Sequence, residues 1–166
     1  MFGGILKNRS LSNDLWFYNT TSHSWKLLHH EGKFKPPPLT RHTMTLVNST
    51  WLYIFGGSLQ YGEFSSDMFR INLDAPHLQW EKVDVLGGKE VDVRLVGHTT
   101  VYHEPSHSLL VYGGIAVDIA RFSRLSSRLF MFSLSHQYWS EIKYPTQPGK
   151  NIILERAFHT ANIIGK

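Results

Sequence analysis

The sequence predicts an all-β fold built from about three copies of a four-stranded antiparallel sheet. Aromatic residues make up 13% and charged residues 18% of the 166 residues, a balance that favours packed strands over solvated helices. An apolar run ending in two glycines occurs three times, at spacings of 53 and 57 residues, and a tryptophan follows each pair after 21, 23 and 25 residues. The pairs are Gly3-Gly4, Gly56-Gly57 and Gly113-Gly114, and the tryptophans are Trp25, Trp80 and Trp139.

Each repeat supplies its strand-like runs in the same order. The run before each glycine pair is read as a second strand, and third strands are predicted at residues 15–18, 68–71 and 129–132. The tryptophan marks a fourth strand. A histidine with an arginine shortly upstream then opens the first strand of the next repeat, and these histidines are His42, His98 and His159.

Four antiparallel strands in a repeat of about 55 residues are typical of a β-propeller blade. We expect a partial blade at 1–41, complete blades at 42–97 and 98–158, and the first strand of a further blade at 159–166. The paired glycines allow a turn with positive φ or a close backbone approach, and each tryptophan supplies apolar area between neighbouring blades. Closed propellers have about 4 to 8 blades, so this chain is expected to remain open and to need the remaining blades of a parent propeller as partners.

The glycine pairs, the aromatic third strand and the late tryptophan resemble the kelch repeat over the whole chain. Residues 97–104, 108–114 and 129–139, together with 156–161, are similar to the extracellular kelch region of the attractin and multiple-EGF-like-domain receptors. This resemblance implies a non-enzymatic interaction scaffold on the extracellular side of a large single-pass membrane glycoprotein, with a protein ligand or co-receptor as its partner. The alternative is an intracellular kelch substrate adaptor of a ubiquitin ligase, located in the cytoplasm.

Loop lengths predict which rim of the propeller binds a partner. In an antiparallel blade, the connections after the second and fourth strands lie at one rim, and those after the first and third strands lie at the other. The loops after the second strand, at residues 5–13, 58–66 and 115–127, are expected to be long and irregular, whereas the opposite rim is expected to have only tight turns. Recognition commonly resides on long loops of a rigid scaffold. The candidate partner-binding residues are Tyr61, Phe64, Arg121, Phe122 and Arg124.

Three Asn-x-Ser/Thr sequons are candidate N-glycosylation sites, at Asn8, Asn19 and Asn48. Asn19 and Asn48 follow a predicted third and first strand, so their glycans are expected on the rim with tight turns. Asn8 lies instead in a loop of the predicted binding rim. The pattern favours an ectodomain.

The sequence predicts no catalytic residue, no cofactor and no metal site. Its ten histidines are scattered without the spacing of metal ligands, and it contains no nucleophile elbow, phosphate loop or dinucleotide motif. The net charge of +4 divides evenly between the two halves of the chain, so nucleic acid is not an expected partner. The longest apolar run, 109–117, is shorter than the roughly 20 residues that span a bilayer, so no membrane insertion of this segment is expected.

Overall fold

The computed structural model describes residues 1–86, 93–117, 122–144 and 153–164, and its regular structure there is almost entirely β-strand. A single turn of 3-10 helix, Glu104–Ser106, joins two of the strands. The strands are β1 (Leu15–Asn19), β2 (Ser24–Leu28), β3 (Thr43–Val47), β4 (Trp51–Phe55), β5 (Met68–Asn72), β6 (Trp80–Lys82), β7 (Leu95–Val96), β8 (Thr99–His103), β9 (Ser108–Tyr112), β10 (Ile115–Val117), β11 (Ser123–Leu125), β12 (Leu129–Ser133) and β13 (Tyr138–Ile142).

Two four-stranded antiparallel sheets form complete propeller blades. Blade 2 has the strand order β3-β4-β5-β6, and blade 3 has the order β8-β9-β12-β13. Blade 1 consists of the β1–β2 hairpin and Phe2, which forms a β-bridge with Leu15 at the position of a second strand. The sheets do not close into a ring. The structure therefore confirms the predicted fold, an all-β, incomplete β-propeller.

The hydrophobic core lies between the blades, because the central strands are apolar on both faces. In β4, Leu52 and Ile54 face blade 1, whereas Tyr53 and Phe55 face blade 3. We call the two interfaces seam 1/2 and seam 2/3. The buried residues of seam 1/2 are Phe2, Leu15, Leu39, Leu52, Ile54, Phe69, Ile71 and Trp80. Those of seam 2/3 are Val47, Tyr53, Phe55, Met68, Val83, Val93, Leu95, Leu109, Val111, Phe130, Phe132 and Trp139.

The three repeat tryptophans occupy one register in their blades. Trp25, Trp80 and Trp139 lie opposite the fourth residue of the third strand, which is Tyr18, Ile71 and Phe132 respectively. The Trp80 ring packs edge-on against Phe2 of blade 1 with the ring centroids 5.3 Å apart, and the Trp139 ring lies 4.8 Å from that of Phe55 in blade 2. Each of these two tryptophans therefore packs on an aromatic ring of the preceding blade.

A histidine joins each blade to the one before it. The His98 ring packs against Phe55 at 5.2 Å, and its Nε2 atom lies 3.0 Å from the Thr43 hydroxyl. His159 repeats this arrangement with Tyr112 at 5.5 Å and Thr99 at 3.0 Å. The glycines next to those aromatic residues make room for the imidazoles, since a Cβ on Gly56 would lie 2.7 Å from the His98 ring.

Burial keeps these histidines neutral. Desolvation, and to a lesser extent electrostatic repulsion from His42 and His159, lowers the pKa of His98 to about 3. Desolvation also lowers the pKa of His42 to about 4 and, less strongly, the pKa of His159. Their Nδ1 atoms are buried. A backbone hydrogen bond to Phe2 opposes the lowering of the pKa of His42, and one to Leu95 does the same for His98. The histidines that sequence analysis singled out therefore lie at blade junctions.

Two expectations about the connections were wrong. The third long loop is not irregular, because β10 and β11 form a hairpin there, and β10 also pairs with β7. Backbone pairing with the segment that leads into blade 3 is what orders this loop. On the opposite rim the turns are three to seven residues long, so not all of them are tight turns. The longest, 73–79, is extended by Leu78, which packs against the core of seam 1/2. The assignment of 159–166 to a further blade stays a prediction, since 153–164 contains no strand.

Candidate protein-interaction rim

The strand order divides the connections between two rims. We call the rim formed by the connections between second and third strands the long-loop rim, and its hairpins are centred on residues 5–11, 58–64 and 115–125. The other rim, the short-turn rim, consists of the turns at 20–23, 48–50, 73–79, 104–107 and 134–137. Antiparallel pairing places all turns of one kind at the same end of the blades.

Each hairpin of the long-loop rim is attached to the blades by a repeated set of backbone hydrogen bonds. In blade 2, the Gly57 amide donates to the Leu95 carbonyl at 2.9 Å, and the Ser65 amide donates to the Gly57 carbonyl at 2.9 Å. The corresponding pairs in blades 1 and 3 have lengths of 2.8 to 2.9 Å. The Ser65 hydroxyl also accepts from the Asp67 amide, at 3.1 Å. The hairpins are therefore fixed relative to the propeller framework.

The hairpins of blades 1 and 2 are also bonded to each other. The Gln60 side-chain oxygen accepts from the Leu11 amide at 2.8 Å, and its nitrogen donates to the Arg9 carbonyl at 3.4 Å. Gln60 is not predicted as a contact residue from the sequence. No local motif marks it, because both partners lie about fifty residues away along the chain. The two hairpins form one connected surface.

The predicted contact residues differ in their environments. Tyr61 is 95% exposed at the tip of its hairpin, and Phe122 is 73% exposed. Arg124 is exposed on β11. Phe64 is partly buried, and its backbone bridges to Ser58. Arg121 lies outside the described residues.

Further apolar side chains are exposed on the same rim and were not identified from the sequence. They are Ile5 and Leu6 in the blade 1 hairpin and Leu125 on β11. The signal that could have found them is the repeat itself, since 5–11 and 58–64 form equivalent turns. In the first, the Leu6 amide donates to the Ser10 carbonyl at 2.8 Å, and in the second, the Leu59 amide donates to the Glu63 carbonyl at 2.8 Å.

Charge is distributed unevenly between the rims although it is even along the sequence. None of the 17 lysines and arginines lies in the turns of the short-turn rim, which contain Asp74 and Glu104. The described residues of the long-loop hairpins carry three cations, Lys7, Arg9 and Arg124, and one carboxylate, Glu63. The rim with exposed apolar side chains is thus also the cationic one.

Two of the three sequon asparagines, Asn8 and Asn48, lie in turns, and Asn19 is the last residue of β1. The Asn8 side-chain oxygen accepts from the amide and the hydroxyl of Ser10, at 3.1 and 2.7 Å, on the long-loop rim. The Asn19 oxygen accepts from the amides of Thr21 and Ser22 at 2.8 and 3.0 Å, and the Asn48 oxygen accepts from the Tyr102 hydroxyl at 2.8 Å. Within the described ranges, no hydrogen bond engages the side-chain nitrogen of these asparagines, the atom that a glycan would join.

Neither a metal centre nor a membrane-spanning helix is found where the structure is described. No group of three or more His, Asp or Glu side chains in those residues could bind a metal ion. No helix there is long and apolar enough to cross a bilayer.

Known proteins resemble this chain over its full length. A sequence model of the Attractin/LZTR1 beta-propeller family matches residues 1–166. Multiple epidermal growth factor-like domains protein 8 of Rattus norvegicus is 37% identical over 169 residues, which cover 99% of this chain and 6% of that protein. Host cell factor homolog hcf-1 of Caenorhabditis elegans is 27% identical over 179 residues, covering 99% of this chain and 22% of that protein. The chain therefore spans a small part of these relatives.

Two solved structures share the fold. The structure of YjhT matches with a TM-score of 0.66 at 13% identity, covering 95% of this chain and 44% of that one. A chain of the RAG complex with one melted and one unmelted RSS matches with a TM-score of 0.63 at 14% identity, covering 87% and 52%. Propeller domains of this type mediate protein interactions, and kelch-like families are generally non-enzymatic scaffolds. By its strand order, its repeats and the match over all 166 residues, this chain belongs to the Attractin/LZTR1 β-propeller family.

Proposed function

We propose that this chain is a non-enzymatic protein-binding segment of a larger propeller and that it binds a protein ligand or co-receptor through the long-loop rim. The observation that carries the proposal is Tyr61, which is 95% exposed on a hairpin that is bonded both to the blade framework and to the neighbouring hairpin. Solvent exposure of a large aromatic side chain is unfavourable in the free protein. Rigid, exposed aromatic residues are common at the energetic centres of protein interfaces.

Site-specific photo-crosslinking tests this assignment. In the test variant, a photoreactive phenylalanine analogue replaces Tyr61 on the long-loop rim. In the matched control, the same analogue replaces the exposed Leu73 on the short-turn rim. In the full-length protein on cells, we expect a crosslinked protein partner from position 61 and none from position 73. Equal crosslinking from both positions, or crosslinking from position 73 alone, would contradict the choice of rim.

We further propose that the segment lies on the extracellular side of a membrane glycoprotein. Two features support this: the similarity to Multiple epidermal growth factor-like domains protein 8, and the sequons of Asn19 and Asn48 at the short-turn rim. Treatment of the full-length protein with an N-glycosidase should reduce the mass of peptides that contain Asn19 or Asn48. Unmodified asparagine at all three sequons in protein from the cell surface would remove this support.

The glycan measurement also separates the proposal from the intracellular adaptor. The similarity to Host cell factor homolog hcf-1 is lower, at 27% identity. An intracellular adaptor would carry no N-glycans and would co-purify with ubiquitin-ligase subunits, whereas the proposed ectodomain would be labelled by membrane-impermeant reagents on intact cells.

A further inference from the structure

Resting on the proposed function, we infer that the partner segment bound by the blade 1 and blade 2 hairpins is an acidic stretch of polypeptide that carries a large apolar side chain. The binding surface is formed by Leu6, Lys7 and Arg9 of the first hairpin and Tyr61 of the second. Two apolar and two cationic side chains are thus combined on two hairpins that the Gln60 side chain joins by hydrogen bonds.

Two equivalent turns fix the positions of these side chains. In the first, the Arg9 amide donates to the Leu6 carbonyl at 2.9 Å, and Arg9 has a φ of +67°. In the second, the Gly62 amide donates to the Leu59 carbonyl at 3.0 Å, with Gly62 at a φ of +84°. A non-glycine residue in this backbone region is uncommon and needs a well-determined local structure. The first hairpin is therefore ordered before a partner binds.

The Gln60 side chain then brings the two turns together. It bonds to the Leu11 amide and the Arg9 carbonyl of the first hairpin while its own residue precedes Tyr61. Tyr61 and Arg9 are accordingly presented on one surface. Pre-organisation of this kind lowers the entropic cost of binding an extended segment.

The cations of this surface are not neutralised by the protein. Across the described ranges, Lys35, Arg70, Lys82 and Arg128 form ion pairs with carboxylates, whereas Lys7 and Arg9 form none. The carboxylate in the two hairpin turns is Glu63. The net charge of the surface is therefore positive, and carboxylates of a partner would be attracted to it and oriented by it.

The exposed apolar side chains set the second requirement. Leu6 and Tyr61 would bury apolar surface against a large aliphatic or aromatic side chain, while Lys7 and Arg9 pair with flanking Asp or Glu residues. A partner with charge alone would leave Leu6 and Tyr61 in water. This combination favours an acidic peptide with an apolar anchor over a sulfated polysaccharide.

Selection from a random twelve-residue peptide display library on the full-length protein tests the inference. We expect the selected peptides to be enriched in Asp and Glu beside Leu, Ile, Phe, Tyr or Trp. Their affinity should fall roughly tenfold in the K7S/R9S variant, since each exposed ion pair contributes modestly. It should also fall in Y61A and at higher salt concentration.

The matched control is K26S/K143S, which removes the same charge from exposed lysines in or beside the outer strands β2 and β13. Binding within twofold of the unmodified protein is expected for this control. Selection of peptides without acidic residues, an equal loss in the control, or full displacement by heparin would each overturn the inference. Complete glycosylation of Asn8 would also overturn it, because the glycan would lie between Lys7 and Arg9.

The crosslinking experiment distinguishes the two proposals. If Tyr61 crosslinks to a protein through a segment that is not acidic, the acidic-segment inference fails and the interaction function remains. If position 61 gives no crosslink and position 73 does, the choice of rim itself fails.

Discussion

Blade 3 and blade 1 carry the same tryptophan in the same register, yet one tryptophan belongs to the core and the other to the surface. Trp139 is 7% exposed because its ring packs against Phe55 of the preceding blade. Trp25 is 54% exposed, and within this chain no blade precedes it. The pairing register of the residue is fixed by its own sheet, whereas its burial is fixed by the neighbouring blade.

The rest of blade 1 agrees with this comparison. Trp16, Tyr18 and Leu27 share one face of the hairpin with Trp25, and we call this surface the open face. Three of the equivalent residues of blade 2, Phe69, Ile71 and Trp80, are buried in seam 1/2, whereas the fourth, Lys82, is exposed. The open face is therefore a seam surface whose partner blade is absent from this chain. Repeat proteins bury each unit mainly on its neighbours, which accounts for the difference.

The largest expected effect comes from truncating a tryptophan in a closed seam. Trp139→Ala should lower the free energy of unfolding by about 3–5 kcal/mol, because it leaves a cavity against Phe55 and Phe132. In the 166-residue chain, Trp25→Ala should cost less than about 1 kcal/mol. Denaturant titration of both variants measures the difference.

The same pair of variants sharpens the comparison in the full-length protein. There we expect a preceding blade to cover Trp25, so that hydrogen exchange in the propeller accelerates as much in Trp25→Ala as in Trp139→Ala. Equal effects of the two variants in the isolated chain would contradict our account of the open face.

A second contrast separates contact from backbone strain at the glycine pairs. Gly57 and Gly4 have similar φ values, +88° and +98°. A Cβ on Gly57 would lie 2.7 Å from the Thr40 carbonyl oxygen and 2.7 Å from Cβ of His42. A Cβ on Gly4 would meet no atom within 4 Å. We expect Gly57→Ala to cost about 2–4 kcal/mol and Gly4→Ala about 1 kcal/mol, the latter from the backbone alone.

Thermal unfolding of the two alanine variants checks this contrast. Similar losses of stability would mean that close contact with the first strand contributes little at Gly57. In that case Gly57, which lies against Thr40 and His42, and Gly4, which has no such neighbour, would tolerate a Cβ equally well.

Acid should loosen the seams through their buried histidines. Burial lowers the pKa of His98 to about 3, so the folded state excludes a proton that the unfolded chain binds below about pH 6.5. The contribution of His98 to stability is therefore complete above pH 6.5 and falls as the pH drops toward 3. Between pH 6.5 and 5 the loss is up to about 2 kcal/mol.

Denaturation midpoints at several pH values measure this effect. His98→Gln should be less stable at neutral pH but should show a weaker dependence on pH, because the buried imidazole of His98 no longer titrates. Some dependence should remain, since His42, with a pKa of about 4, and His159 still titrate. An unchanged pH dependence in His98→Gln would show that other groups cause the acid sensitivity.

How far the sequence predicted this structure depends on whether a feature repeats. Gly56, Trp80 and His98 were found because each occupies the same place in successive units, and the strand order follows from them. Gln60 could not be found, because its bonds connect hairpins about fifty residues apart and occur once. The β10–β11 hairpin was missed because its short strands depend on pairing with β7 rather than on a local apolar pattern.

The smallest expected effect concerns the hydrogen bond that crosses seam 2/3. The Thr43 hydroxyl lies 3.0 Å from His98 Nε2 and 2.7 Å from the Thr100 hydroxyl. Thr43→Val keeps the shape but leaves both groups without this partner, so we expect a loss of about 1 kcal/mol in the free energy of unfolding. Thr99→Val is the matched control, since its partner His159 lies in a segment without a strand, and its loss should be smaller. A larger loss for Thr99→Val than for Thr43→Val would mean that the terminal segment contributes more to stability than the closed seam does.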